Sequence, residues 1–154
     1  MNYADIKYCD VANGEGVRVS LFVSGCTHHC KECFNKEAWD FHYGNPFTQK
    51  EIDRILEYLK PNYIAGLSLL GGEPMEPVNQ EGILPLLRVV KQTYPEKNIW
   101  CYTGYTYEEL LEDPVRRPIL SYINVLVDGR FEQSLYSPKL EFRGSSNQRI
   151  LKLK

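Results

Sequence analysis

Three of the chain's five cysteines, Cys26, Cys30 and Cys33, fall within eight positions of the stretch GCTHHCKECFN (25–35). Thiolates at such spacing select zinc, copper(I) or an iron–sulfur cluster. Zinc prefers four protein ligands, and His28 or His29 could complete a Cys3His set. Both histidines lie in the short arc between Cys26 and Cys30, where reaching the same metal is strained, and no second CxxC pair exists to close the site. A 4Fe-4S cluster is normally held by four thiolates. With three, one iron keeps an open position for a small molecule, as a catalytic metal centre does. The spacing therefore favours an iron–sulfur cluster over a zinc clip or three unrelated thiols.

The elements that must position these thiols alternate along the chain. VRVSLFVSG (17–25) is β-branched and apolar and predicts a strand. FTQKEIDRILEYLK (47–60) carries Ile52, Ile55, Leu56 and Leu59 at helical spacing, with Thr48 and Glu51 as a capping box. IAGLSLLGG (64–72) predicts a buried strand, EGILPLLRVVKQTY (81–94) a helix, and KNIWCYTGY (97–105) a third strand. Thr106 and Glu109 cap a short helix through Leu111, and Pro114–Ser121 predicts one further helical stretch. YINVLVDG (122–129) predicts a fourth strand, and the tail QRILKLK an edge strand. Strands alternating with helices imply an α/β fold with mostly parallel pairing and right-handed crossovers. In such sheets the reactive ends are the carboxyl ends of the strands. Cys26, Gly71-Gly72-Glu73-Pro74, Thr103-Gly104-Tyr105 and Asp128-Gly129-Arg130 each follow a strand, so a parallel sheet or partial barrel opens all four loops on one rim.

At 154 residues the chain predicts one domain over 1–154 with a real core. With 43% hydrophobic and 25% charged residues and a net charge of −2, it offers no general pull toward nucleic acid or an anionic membrane. No apolar run reaches spanning length, and MNYADIKYCD has no secretory h-region. An odd, tightly clustered cysteine set fits a reducing cytoplasm.

Cys-x3-Cys-x2-Cys followed downstream by Gly-Gly-Glu-Pro resembles the radical S-adenosylmethionine superfamily. The whole chain is similar to one family in it, the activating proteins of the anaerobic ribonucleoside-triphosphate reductase. The likeness is carried by NGEGVRVSLFVSGC (13–26), CFNKEAW (33–39), YGNPFT (43–48), LSLLGGEP (67–74), INVLVDGRF (123–131) and FRGSSNQR (142–149). It implies a partial (β/α) barrel of the radical SAM type. It implies that Cys26, Cys30 and Cys33 hold three irons of a 4Fe-4S cluster, with S-adenosylmethionine chelating the fourth. An electron from a flavodoxin or ferredoxin would cleave the sulfonium to a 5′-deoxyadenosyl radical. That radical would take a hydrogen atom from a glycine of the reductase large subunit.

Gly71 and Gly72, lacking side chains, let backbone approach a ligand closely. Glu73 and the strand-end carbonyls are acceptors for the ammonium that S-adenosylmethionine carries. Phe34 could pack on the adenine, with Glu32 and Cys33 backbone bonding it, or be a core aromatic. Many superfamily members place the aromatic before the third cysteine; here Glu32 stands there and Phe34 follows, as in the activating proteins. Arg18 and Arg143 could meet a carboxylate or the partner, with solvated surface the plainer expectation. Tyr102 and Thr103 fall near the expected methionine or ribose, or simply pack. Asp128 suits a turn, as does RGSSNQ, whose match to the family suggests partner or cofactor contact. Cys9 and Cys101 read as non-ligands, and His28 and His29 as exposed loop residues. Three other readings stand beside the resemblance: activation of another glycyl-radical enzyme of the pyruvate formate-lyase type, an iron–sulfur carrier, and a zinc-stabilised binding module. Oligomeric state is not legible, and a homodimer or a heterotetramer with the reductase is compatible with the resemblance.

Overall fold

A computed structural model of the chain describes residues 1–28 and 39–154. Its strands are β1 (Asn2–Asp10), β2 (Val17–Val23), β3 (Asn45–Pro46), β4 (Ile64–Gly71), β5 (Asn98–Tyr102), β6 (Val125–Asp128) and β7 (Arg149–Lys152). Its helices are α1 (Gln49–Leu59), α2 (Pro77–Thr93) and α3 (Tyr107–Glu112), with 3-10 turns at Arg117–Tyr122 and Gln133–Leu135. The strands form one sheet in the order β3-β1-β2-β4-β5-β6-β7. The central four, β2, β4, β5 and β6, run parallel. Antiparallel partners flank them, β1 and β3 on one side and β7 on the other. The sheet is open, with β3 and β7 as its edges.

The period-2 pattern of the strands sorts the two faces. Val19, Leu21 and Val23 of β2, Leu67 and Leu69 of β4, Ile99 and Cys101 of β5, and Leu126 of β6 pack with Ile55 and Leu59 of α1 and Ile83, Leu87 and Val90 of α2 in the main core. The other face is mixed. One paired row there runs Ser20–Ser68–Trp100–Val125, and the pairs Phe22–Leu70 and Tyr102–Val127 follow it toward the carboxyl ends. Trp100, Val125 and Val127 form a second apolar cluster, joined by Phe142.

The capping boxes predicted for α1 and α3 are present: the Thr48 N–H donates to Glu51 at 2.7 Å and the Thr106 N–H to Glu109 at 3.0 Å. The helix predicted from residue 81 begins instead at Pro77. Proline at the first helical position is pre-set for a helix start. Buried Asn79 and Gln80 disguise that first turn, since the apolar period omits them. β1 was not predicted. Tyr3 is its one buried residue, and its register slips between Lys7 and Asp10, where Cys9 takes φ 58°. The predicted edge strand near the end of the chain is β7.

Arg18, expected at the solvated surface, is instead fully buried. Its Nε donates to Ser68 Oγ at 2.7 Å, Nη1 to the Glu15 carbonyl at 3.0 Å, and Nη2 to the carbonyls of Leu67 and Asn98 at 3.0 and 3.2 Å. Its guanidinium lies 5.6 Å from the centre of the Trp100 ring. Burial pushes its pKa down to about 10, which keeps it cationic at neutral pH. It closes the amino end of the mixed face, opposite the rim. None of the described helices is long and apolar enough to cross a membrane.

Candidate cofactor site

A cavity of about 210 Å³ opens at the carboxyl ends of the parallel strands. That is far more than the roughly 10–15 Å³ a single water needs. Every central strand contributes to it: Cys26 beyond β2, Gly72 beyond β4, Thr103 beyond β5 and Gly129 beyond β6. The four loops predicted to share a rim therefore do so. Main-chain bonds knit them together. Gly72 N donates to the Val23 carbonyl and Glu73 N to the Gly25 carbonyl, both at 2.7 Å. Thr103 N reaches the Val127 carbonyl at 3.0 Å, and Gly129 N the Tyr105 carbonyl at 3.1 Å. Gly71 has φ +106°, and a Cβ there would stand 2.6 Å from the Val23 carbonyl oxygen. The turn itself thus requires glycine, apart from any approach to a ligand.

Glu73 is the polar centre of the rim and is 1% exposed. Its Oε1 accepts from the Gly104 N–H at 2.7 Å and meets His28 Nε2 at 2.8 Å. Its Oε2 accepts from the Thr103 hydroxyl at 2.8 Å and the Met75 N–H at 3.0 Å. A carboxylate has about four lone-pair positions, so protein groups occupy them all. Sequence reasoning placed His28 at the surface; its side chain is instead 4% exposed. Arg130 Nε donates to its Nδ1 at 3.0 Å, and its ring stands edge-on to Tyr105 with centroids 4.4 Å apart. With both nitrogens engaged, His28 has no donor atom left for a metal.

A second acid, Glu76, was missed in the sequence. It accepts from the Thr27 hydroxyl at 3.0 Å and the Tyr105 hydroxyl at 2.6 Å. Burial and the Glu76 bond push the Tyr105 hydroxyl up to about 12. The repeat of Glu-Pro in GGEPMEP was the available signal.

The far wall comes from the segment before β7. Arg143, expected at the surface, lines the cavity and donates from Nη1 to the Gln148 carbonyl at 2.7 Å. Gln148 in turn accepts from the Gly144 N–H at 2.8 Å and donates to the Gly129 carbonyl at 3.0 Å. RGSSNQ is thus an internally bonded turn facing the cavity. Tyr102 lines the cavity as well. Asp128 does more than turn the chain: buried, it caps α3 at the Tyr107 N–H (2.8 Å) and binds Arg149 Nε at 3.0 Å.

Cys101 is buried in β5 and Cys9 is exposed on β1. Burial raises the Cys101 thiol well above its ordinary value. Cys26 lines the cavity. Cys30, Cys33, Glu32, Phe34 and His29 lie outside the described residues. Among the described residues no three metal-binding side chains converge. The donor chemistry fits a soft metal group: a thiol at the cavity wall, two more within seven positions, and the nearest imidazole already bonded on both sides.

The fold and this site define a class, the 4Fe-4S single cluster domain, whose family pattern matches residues 12–151. The chain is 49% identical over 152 residues to the anaerobic ribonucleoside-triphosphate reductase-activating protein of Pasteurella multocida, covering 97% of this chain and 96% of that one. It is 48% identical to the protein of the same name from Vibrio cholerae, covering 97% of each. It is 43% identical to the one from Enterobacteria phage T4, covering 97% of this chain and 93% of that one. The chain belongs to the family of anaerobic ribonucleoside-triphosphate reductase-activating proteins.

Proposed function

We propose that this chain is the activating enzyme of an anaerobic ribonucleoside-triphosphate reductase, working through a 4Fe-4S cluster and S-adenosylmethionine. One observation carries the reading: Cys26 faces the same cavity as the Gly71-Gly72-Glu73 loop, while His28 is withheld from metal by its two hydrogen bonds. Cys26, Cys30 and Cys33 would hold three irons. Glu32, Cys33 and Phe34 would meet the adenine, and Gly71, Gly72 and Glu73 would edge the methionyl end. When bound, the cluster would supply the electron that breaks the bond from the sulfonium sulfur to the 5′-carbon of S-adenosylmethionine; methionine would leave, and the 5′-carbon would end as 5′-deoxyadenosine with the hydrogen atom taken from a glycine of the reductase.

The residues of this chain prepare for that chemistry. Glu73 ties the loops after β4 and β5 to the cysteine loop, so the cavity wall is pre-set. Arg18, buried under its bonds to Ser68, Leu67 and Asn98, fixes β2 against β4 and β5 at the amino end of the mixed face. The reading takes 1–154 as one domain and the open sheet as a partial barrel of the radical SAM type; four parallel strands sharing one rim support it. It places the protein in the cytoplasm, reduced by a flavodoxin or ferredoxin and docked on the reductase large subunit, alone or as a dimer.

The test is anaerobic reconstitution with iron and sulfide, then incubation with S-adenosylmethionine, dithionite and the reductase. A glycyl doublet in electron paramagnetic resonance, with 5′-deoxyadenosine formed, is the expected result. Zinc bound without sulfide would overturn the reading in favour of a binding module. A doublet on pyruvate formate-lyase and none on the reductase would move the target.

A further inference from the structure

Three loops of the rim meet on one imidazole. His28 lies two residues from Cys26. Its Nδ1 accepts from Arg130 of the loop after β6, and its Nε2 reaches Glu73 of the loop after β4. A guanidinium can only donate, so Nδ1 must be the acceptor. The ring proton therefore sits on Nε2 and is donated to Glu73 Oε1 across 2.8 Å. Moving the ring proton to Nδ1 would set donor against donor at Arg130 and leave Glu73 Oε1 facing an acceptor.

The seat for the ring is shaped as well as polar. A Cβ on Gly104 would come within 2.6 Å of His28 Cδ2, so only glycine lets the imidazole lie there. The Gly104 N–H donates to the same Oε1 that receives His28. With His28 and Glu73 side chains 4% and 1% exposed, water cannot replace a lost partner cheaply.

We infer that His28 is a positioning residue, a connector of fixed tautomer that holds the Cys26 loop in register with Glu73 and Arg130 so that S-adenosylmethionine meets a finished cavity. This rests on the activating-enzyme reading. Removing His28 leaves the Arg130 donor and the buried Glu73 acceptor each one partner short, which should cost about tenfold or more in affinity for S-adenosylmethionine. The connector needs one acceptor and one donor side by side, not an imidazole as such. A glutamine amide supplies both.

The experiment uses the reconstituted full chain. Iron and sulfide content, the dissociation constant for S-adenosylmethionine by anaerobic dialysis, and the resonance spectrum of the reduced cluster with and without S-adenosylmethionine are compared. His28→Leu should weaken S-adenosylmethionine binding by about tenfold or more and alter the bound-state spectrum. His28→Gln should recover most of both. Arg130→Leu and Arg130→Lys should repeat the loss and the recovery from the other end, and they decide the matter if His28→Leu does not fold. Wild-type affinity and spectrum in His28→Leu or Arg130→Leu would overturn the inference. So would a glutamine variant as impaired as leucine, since that outcome assigns the imidazole itself a role. A wild-type protein that assembles its cluster yet binds no S-adenosylmethionine fails earlier, on the activating-enzyme reading.

Discussion

The Thr103 hydroxyl donates to Glu73 Oε2 across 2.8 Å, joining the end of β5 to the end of β4 beneath the cavity. Glu73→Gln halves the acceptor count at this junction, and an NH2 group then faces donors. The variant should bind S-adenosylmethionine roughly 10–100-fold more weakly and melt at a lower temperature. Dialysis and a circular-dichroism melt measure both, and wild-type values in the two would remove Glu73 from its place at the centre of the rim.

Cys26→Ala, Cys30→Ala and Cys33→Ala should each lose the cluster, while Cys9→Ala keeps it. Cys9 lies exposed on β1, outside the cavity lining. Iron and acid-labile sulfide after anaerobic reconstitution give the answer. Equal retention in all four variants contradicts the three-thiol site.

Arg18→Leu leaves the carbonyls of Glu15, Leu67 and Asn98 without their donor inside a dry interior. A loss of about 3 kcal/mol is expected. For a chain of this length that lowers Tm by roughly 6–12 °C. S-adenosylmethionine affinity measured well below Tm should stay near wild type, because Arg18 is at the far end of the mixed face. A variant that melts normally but binds poorly would reverse this assignment.

Glu51 titrates below its ordinary value of 4.5, chiefly because the Thr48 hydroxyl bonds its carboxylate. A carboxyl group with a depressed folded pKa contributes stability that is present above the unfolded value and is lost as pH falls through the folded one. Acid should therefore weaken the start of α1 below about pH 4.5. Glu51→Gln should flatten that limb of the stability curve and leave the neutral region's slope unchanged. Urea melts across pH 3 to 7 test this, and an unaltered acid limb rules Glu51 out as a source of it.

The parallel core was legible because β2, β4, β5 and β6 are apolar runs closed by glycine or a turn, and the rim followed from where those runs stop. The capping residues Thr48 and Glu51 marked α1 for the same local reason. β1 was hidden because a half-exposed strand such as DIKY alternates charges with few buried side chains. The start of α2 was hidden because Asn79 and Gln80 are buried polar groups: the Asn79 amide donates to the Glu73 carbonyl at 2.8 Å. Arg18 and His28 misled for one reason. Residue type favours exposure for both, and what buries them is a set of acceptors and donors far away in the chain, such as Asn98 for one and Arg130 for the other. Pairings across 80 and 102 positions leave no local trace.

The cavity takes one wall from Cys26 and another from Gln148. On a ribosome adding about 5–20 residues per second, Cys26 emerges several seconds before the last wall segment exists. A ligand site that needs all of these walls is therefore complete only once the chain has been made through Gln148. Until then Cys26 stands without the Arg143–Gln148 wall that faces it across the finished cavity.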